Sequence, residues 1–148
     1  MNKHSYLIIA HKNDFTFHTL IKSLDSEFND LYIHMDAKVK KYDEHKIEKL
    51  ARKSNIIHTQ RTNVQWGGYS QINAEIILFE EAISSSVSYS FFHLISGEDL
   101  PIKPLNVIHS FFENNKGKNF LNFENNKFEH GRRVKYYYFF QDILGRKK

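Results

Sequence analysis

Cysteine is absent from this sequence of 148 residues, and proline occurs only twice. The lack of cysteine excludes disulfides, thiolate metal ligands and a cysteine nucleophile. The low contents of proline and glycine argue against a disordered or linker-like chain. Neither GxGxxG nor GxxxxGK followed by Ser or Thr occurs, so dinucleotide binding and a P-loop lack support.

Long hydrophobic runs are also missing near the N-terminus. The apolar run at residues 5–10 has six residues and ends at His11 and Lys12. Such a run is too short for the core of a signal peptide and far too short for a membrane span. We therefore expect a cytoplasmic location, and peripheral contact with a membrane is left open.

The composition is that of an ordinary soluble domain, with 41% hydrophobic and 26% charged residues. The length suits one domain, and we treat residues 1–148 as a portion of one. The net charge of +4 comes from scattered bases, which indicates a solvated surface or attraction to a diphosphate or an anionic membrane. Nucleic-acid binding would need aromatic side chains interleaved with bases on an exposed surface, whereas the phenylalanines fall on expected core positions, so we expect no nucleic-acid partner.

Short β-rich runs alternate with segments of helical spacing along the chain. This alternation predicts an α/β fold with a mostly parallel sheet flanked by helices. Strands are predicted at residues 5–10, 31–35, 56–57, 91–95 and 119–123, and an extended segment at 132–140. The first predicted helix is capped by Asn13 or Asp14, and the second spans residues 43–53. The third follows Ser70, and the fourth begins at Pro104.

The spacing of apolar residues predicts which faces of these helices are buried. In the first helix the pattern continues from Phe17 to Phe28, and in the third helix it consists of Ile72, Ile76, Phe79 and Ile83. The strand at residues 91–95 is predicted to be buried, with His93 as a satisfied core histidine.

Polar residues follow the ends of the predicted strands, where ligands of open α/β sheets bind. Four segments are selected in this way: residues 11–13, 36–38, 66–68 and 96–99. Asp36 would accept a hydrogen bond from a ribose hydroxyl or a base N–H, or else cap a turn. Lys38 would pair with a phosphate or be merely solvated. Trp66 would stack on a ligand or lie in the core, and Gly67 would allow close backbone approach or form a plain turn.

No Asp-x-Asp pair occurs in the chain. Metal-dependent glycosyltransferases use such a pair to hold a divalent cation on the diphosphate. If this protein transfers sugars, Lys or Arg side chains would neutralise the diphosphate instead. The nine histidines show no tight metal-binding spacing, so we expect neither a metal nor another cofactor.

Four segments together resemble the core-2/I-branching β-1,6-N-acetylglucosaminyltransferase family, which also contains the peptide O-xylosyltransferases. They are LIIAHK at residues 7–12, IHMDAK at 33–38, VQWGGYS at 64–70 and HLISGEDLPI at 93–102. The resemblance covers about residues 5–125. Each motif alone is weak, but the four in this order and spacing are fairly specific.

The resemblance implies a GT-A-like, Rossmann-like fold, a UDP-sugar donor, inversion at the anomeric carbon and no metal requirement. It places Asp36 at the uridine, Lys38 near the nucleotide, and Trp66 and Gly67 along the donor pocket, and we assign His11 to the same donor-binding set. It also places Ser96, Gly97 and Asp99 in a loop that faces the sugar and the acceptor.

The resemblance also implies that part of the machinery is missing from this chain. In the family the general base is a glutamate well downstream of the Pro-Ile segment. Glu124 and Glu129 do not lie in a matching motif, so the catalytic residue stays unassigned. We expect a glycosyltransferase fragment that is incomplete at its C-terminus and acts on a glycan or protein hydroxyl. The alternative is a non-catalytic module that binds nucleotide sugars or glycans.

Overall fold

The computed structural model describes residues 3–121 and residue 139. Strands and helices alternate through the described part in the order β1 (Lys3–Ala10), α1 (Phe15–Ser23), β2 (Asn29–Met35), α2 (Glu44–Glu48), β3 (Asn55–His58), α3 (Tyr69–Ser84), β4 (Tyr89–Ser96) and α4 (Leu105–Glu113). The strands form one sheet in the order β3-β2-β1-β4, and every pair is parallel. The predicted α/β fold with a parallel sheet between helices is therefore confirmed, consistent with a GT-A-like domain.

The core lies on both faces of the two central strands, β1 and β2. Successive side chains of a strand point to opposite faces, so β1 supplies Ile8 to one face and Leu7 to the other. Ile8 packs in a cluster with α1 residues such as Phe17 and Leu20, whereas Leu7 packs against Leu78 of α3. Burial on both faces explains why these strands read as continuous apolar runs.

The ends of α1 and α2 differ from the prediction. The Asp14 carboxylate caps α1 as expected by accepting from the backbone N–H of Phe17, but α1 ends at Ser23 and Phe28 lies outside it. The side chain of Asn29 donates to the Leu24 carbonyl oxygen just beyond the helix, which satisfies a group that a further turn would have bonded.

The predicted helix over residues 43–53 is reduced to the single turn and a half of α2. The reason lies in the Asp25 carboxylate, which accepts from the backbone N–H groups of Arg52, Lys53 and Ser54. These three amides are bonded outside any helix, so α2 cannot extend through them.

The predicted buried face of α3 is wrong. The helix begins at Tyr69, and Gly68 occupies the cap position predicted for Ser70. Its buried residues are Ala74, Leu78 and Ala82, whereas Ile72, Ile76 and Ile83 are exposed and Phe79 is partly buried. The two alanines let the helix backbone approach the sheet over β1 and β2 closely, and the isoleucines lie on its outer flanks.

The position of α3 leaves β4 less covered than predicted. β4 is an edge strand of the described sheet, and its Phe92 and Leu94 side chains are 39% and 41% exposed. The expectation that this strand is buried is therefore wrong. Helix α4 does turn the predicted residues Leu105, Ile108 and Phe112 inward, but its most buried residue is His109.

The predicted fifth strand is not present at residues 119–121. The rest of that prediction, the extended segment at 132–140 except Phe139, and both Glu124 and Glu129 lie outside the described residues.

The buried Asp30 carboxylate of β2 connects all four described strands at the amino edge of the sheet. One oxygen accepts from Lys3 Nζ of β1 at 2.6 Å and from Asn55 Nδ2 of β3 at 2.9 Å. The other accepts from the Tyr89 hydroxyl of β4 at 2.8 Å. The Tyr32 and Tyr89 hydroxyls lie 3.0 Å apart, so Tyr32 completes the network by donating to Tyr89.

We expect Asp30→Ala to lower the free energy of unfolding by about 3 kcal/mol, since it removes the anion from a buried, fully bonded network. Urea denaturation measures the change. Asp43→Ala is the matched control, because it removes an exposed helix cap and should cost about 1 kcal/mol. An Asp30→Ala effect no larger than that of the control would contradict the role assigned to this network.

Three histidines gather on the α1 and α4 side of the sheet: His4 of β1, His93 of β4 and His109 of α4. His4 Nδ1 lies 2.9 Å from His93 Nε2, and the His109 Nε2 group bonds Asn29 Oδ1 at 2.8 Å. Burial lowers the pKa of His4 to about 4 and that of His93 to about 3, and it also lowers the pKa of His109. His93 is thus hydrogen-bonded, as predicted, but it is only partly buried rather than a core residue.

Acid should destabilise the fold through these histidines. Their folded pKa values lie below the unfolded value of about 6.5, so the unfolded chain binds more protons below that pH. Their stabilisation is complete above about pH 6.5 and is lost as the pH falls toward the folded values. Between pH 7 and 5 we expect His93→Phe to reduce the pH dependence of the unfolding free energy by up to about 1.4 kcal/mol per pH unit.

The measurement is urea denaturation at a series of pH values, with Ser86→Ala at an exposed, non-titrating site as the control. The control should keep the wild-type slope. A wild-type slope in His93→Phe would show that His93 binds protons equally in both states.

Candidate functional site

A cavity of about 390 Å³ lies at the carboxyl ends of β1 and β2, against the start of α3. It is lined by Ile9, Ala10, His11, Asp36, Lys38, Val39, Val64, Gln65, Trp66 and Gln71. Four of the five residues predicted to bind the donor, namely His11, Asp36, Lys38 and Trp66, are therefore brought together. The fifth, Gly67, lies next to Trp66 in the turn that forms one wall.

Asp36 is the buried carboxylate of this cavity, with 4% of its surface exposed. Its backbone N–H donates to the Ala10 carbonyl oxygen at 2.8 Å, which ties the ends of β1 and β2 together. Its Oδ1 atom accepts from the backbone N–H of Lys38 at 2.9 Å, so the turn-capping interpretation holds for that oxygen. Its Oδ2 atom lies 3.4 Å from Lys38 Nζ.

Lys38 places a positive charge at the mouth of the cavity. Its side chain is half exposed, and Nζ also donates to the Val64 carbonyl oxygen in the wall opposite. The ammonium group therefore spans the cavity between Asp36 and the segment that leads to Trp66. A phosphate entering here would meet a cation already held in place by two oxygen atoms.

Trp66 and Gly67 belong to a tight turn before α3. Trp66 is 55% exposed, so the interpretation of this residue as part of the core is wrong. Gly67 has a φ of 76°, a conformation that favours glycine, and its N–H donates to Gln71 Oε1 at 2.6 Å. The turn interpretation of Gly67 is therefore correct, and its effect on the cavity is to hold the indole at the rim.

The loop after β4, with Ser96, Gly97 and Asp99, lies beside the cavity and is not part of its lining. Asp99 Oδ2 accepts from the Ser96 N–H at 2.8 Å, and Ser96 Oγ accepts from the Glu98 N–H at 3.2 Å. Both polar side chains thus close their own turn. Asp99 also borders a smaller cavity of about 160 Å³ on the α1 side of the sheet.

Glu98 connects this loop with the end of β1. It forms an ion pair with Lys12, and its Oε1 atom lies 3.9 Å from His11 Nε2. The Lys12 hydrogen bond lowers the pKa of Glu98, and the same contact raises the pKa of Lys12. The pair is thus charged at neutral pH and spans the space between the β1 and β4 loops.

Arg61 is a site-forming residue that no sequence signal indicated. It donates hydrogen bonds to the carbonyl oxygens of Met35, Asp36 and Val39, around the turn that carries Asp36. In the sequence, a single arginine in a polar loop cannot be distinguished from an arginine that is merely solvated.

In the described ranges, no group of three or more His, Asp or Glu side chains is arranged to hold a metal ion. Nor does any helix of the described part have the length and apolar character needed to cross a bilayer. Metal independence and location stay predictions.

Comparisons with known proteins agree with this fold. Residues 5–142 match the model of the core-2/I-branching enzyme family. A human N-acetyllactosaminide β-1,6-N-acetylglucosaminyltransferase is 24% identical over 78% of this chain and 29% of its own length. The xylosyltransferase oxt of Drosophila pseudoobscura pseudoobscura is 30% identical over 70% of this chain and 12% of its own length.

The class defined by these matches is that of the glycosyltransferases, since the matched relatives carry transferase names. Within that class, the chain belongs to the core-2/I-branching enzyme family. It spans less than a third of the length of either of these relatives.

A substitution at Gly97 tests how closely the loop after β4 packs against the end of β1. A Cβ atom at this position would lie 2.8 Å from Ala10 Cβ and 3.3 Å from a Phe17 ring carbon. We expect Gly97→Ala to cost about 2 kcal/mol of unfolding free energy through overpacking. Ser86→Ala, at an exposed site, is the control and should stay within about 0.5 kcal/mol of wild type in thermal denaturation. Equal melting temperatures for the two variants would contradict the close approach.

Proposed function

We propose that this chain is the nucleotide-sugar-binding portion of an inverting, metal-independent glycosyltransferase. The donor is a UDP-sugar of the N-acetylglucosamine or xylose type, and the acceptor is a hydroxyl of a glycan or protein. The observation that carries the proposal is the cavity that joins the buried Asp36 carboxylate, the Lys38 ammonium and the exposed Trp66 ring.

Each of these three groups fits one part of the donor. Asp36 Oδ2 accepts a hydrogen bond from the uridine, since Oδ1 is already used by the turn. Lys38 faces the diphosphate, whose charge it neutralises as UDP departs. The Trp66 ring offers a flat apolar surface to the base or the sugar.

The reaction needs one further group. A carboxylate removes the proton from the acceptor hydroxyl, whose oxygen then attacks the anomeric carbon of the donor sugar. The bond between that carbon and the diphosphate breaks as the new bond forms. In the described loop after β4, Glu98 is paired with Lys12 and Asp99 bonds the Ser96 N–H. Each carboxylate is thus engaged by a neighbouring group of its own loop or of β1's end, and the base stays unassigned.

The same observation favours the second candidate function, a non-catalytic module that binds nucleotide sugars or glycans. The two candidates share the donor site and differ only in the supply of the base. For either one, we propose a cytoplasmic protein, with peripheral membrane contact in the synthesis of a surface polysaccharide.

Binding of UDP, measured by calorimetry with and without EDTA, tests the site. We expect binding that EDTA leaves unchanged and that weakens at least tenfold in Asp36→Ala, which loses a charged hydrogen bond worth about 1.5–3 kcal/mol. Asp36→Asn keeps an oxygen that can accept from the Lys38 backbone N–H but lacks the negative charge. Its UDP affinity therefore shows whether the charge contributes to binding when the turn is preserved. Asp43→Ala is the control, since it removes an exposed aspartate that is not among the residues lining the cavity.

Wild-type affinity in a folded Asp36→Ala variant would exclude Asp36 from the site. Absence of UDP binding by the folded wild-type chain would contradict the proposed function.

A further inference from the structure

Arg61 lies in the segment between β3 and α3 and is partly buried. Its Nε atom donates to the Met35 carbonyl oxygen at 3.1 Å. One terminal nitrogen donates to the carbonyl oxygens of Asp36 at 2.9 Å and Val39 at 2.6 Å. The guanidinium carbon lies 5.1 Å from the centre of the Tyr42 ring, which covers it.

These bonds converge on the turn that follows β2 and carries both charged groups of the cavity. The same turn is held from the Arg61 side by the Ala37 N–H, which donates to the Thr62 carbonyl oxygen at 2.9 Å. The Val39 N–H closes the turn onto the Asp36 carbonyl oxygen at 3.0 Å. Arg61 and its neighbour Thr62 therefore hold the backbone on both sides of Asp36 and Lys38 in place.

Arg61 itself is not among the side chains that line the cavity. Any effect on the ligand would thus pass through the backbone of the turn. A guanidinium group suits this task because its planar fork directs several N–H donors at fixed angles, whereas the ammonium group of lysine acts as one point.

We propose that Arg61 is a positioning residue that sets the orientation of Asp36 and Lys38 for the nucleotide. The proposal rests on the proposed function, since it names what orients that same site. Arg61 touches neither the ligand nor the reacting atoms.

The test uses Arg61→Lys, Arg61→Ala and the control Arg52→Ala, whose side chain is exposed. UDP affinity is measured by calorimetry, and backbone hydrogen exchange is followed at Ala37 and Val39. We expect Arg61→Lys to bind UDP at least about tenfold more weakly, because one point charge cannot replace three directed hydrogen bonds. Exchange at both amides should speed up, and the control should match wild type.

Chemical rescue separates positioning from a general loss of stability. Methylguanidinium added to Arg61→Ala should restore UDP affinity, and added to Asp36→Ala it should not. Wild-type affinity in Arg61→Lys, or equal behaviour of the two alanine variants with methylguanidinium, would overturn the proposal.

Failure of the proposed function gives a different pattern. If wild type binds no UDP, the nucleotide site is refuted, and hydrogen exchange alone decides the role of Arg61. Faster exchange at Ala37 and Val39 in Arg61→Lys then supports its control of the turn, and unchanged exchange overturns it.

Discussion

The buried carboxylate of Asp30 is the point at which the four described strands are fixed relative to one another. It belongs to β2 and bonds side chains of β1, β3 and β4. A buried anion is tolerated only when its hydrogen bonds are complete, so the partners have to arrive together. This requirement favours one alignment of the amino ends of the strands over shifted ones.

That alignment is what creates the cavity at the opposite edge. In the parallel register Ala10 lies beside Met35, and Ile9 lies beside Ser96, so the polar residues that follow each strand emerge at one level. The loop after β4 is attached to the end of β1 by the close approach of Gly97 to Ala10. The loop after β2 is attached there by the Asp36 N–H, which donates to the Ala10 carbonyl oxygen. The position of the cavity thus depends on the strand register, and the side chains that line it supply its chemical groups.

The two faces of the sheet are covered unequally. On one face α1 and α4 enclose aromatic and histidine side chains, and on the other α3 covers β1 and β2. Apolar side chains of β4 and of the outer flank of α3 stay exposed among the described residues. The faces of the sheet serve mainly packing, and the cavity with Asp36 and Lys38 lies at the carboxyl edge.

The amino-acid sequence was sufficient to predict the order of the four strands and four helices among the described residues and the parallel α/β class. It also selected four residues that line one cavity, whose role in donor binding stays a prediction. These features depend on local periodicity and on the rule that parallel strands end at one edge. The sequence could not predict the face of α3, because the helix is apolar on more than one side and the fit of Ala74 and Ala82 against the sheet decided the matter. Nor could it predict the early end of α2 or the role of Arg61, since Asp25 and the carbonyl oxygens around Asp36 come close to them only when distant segments meet in the tertiary structure.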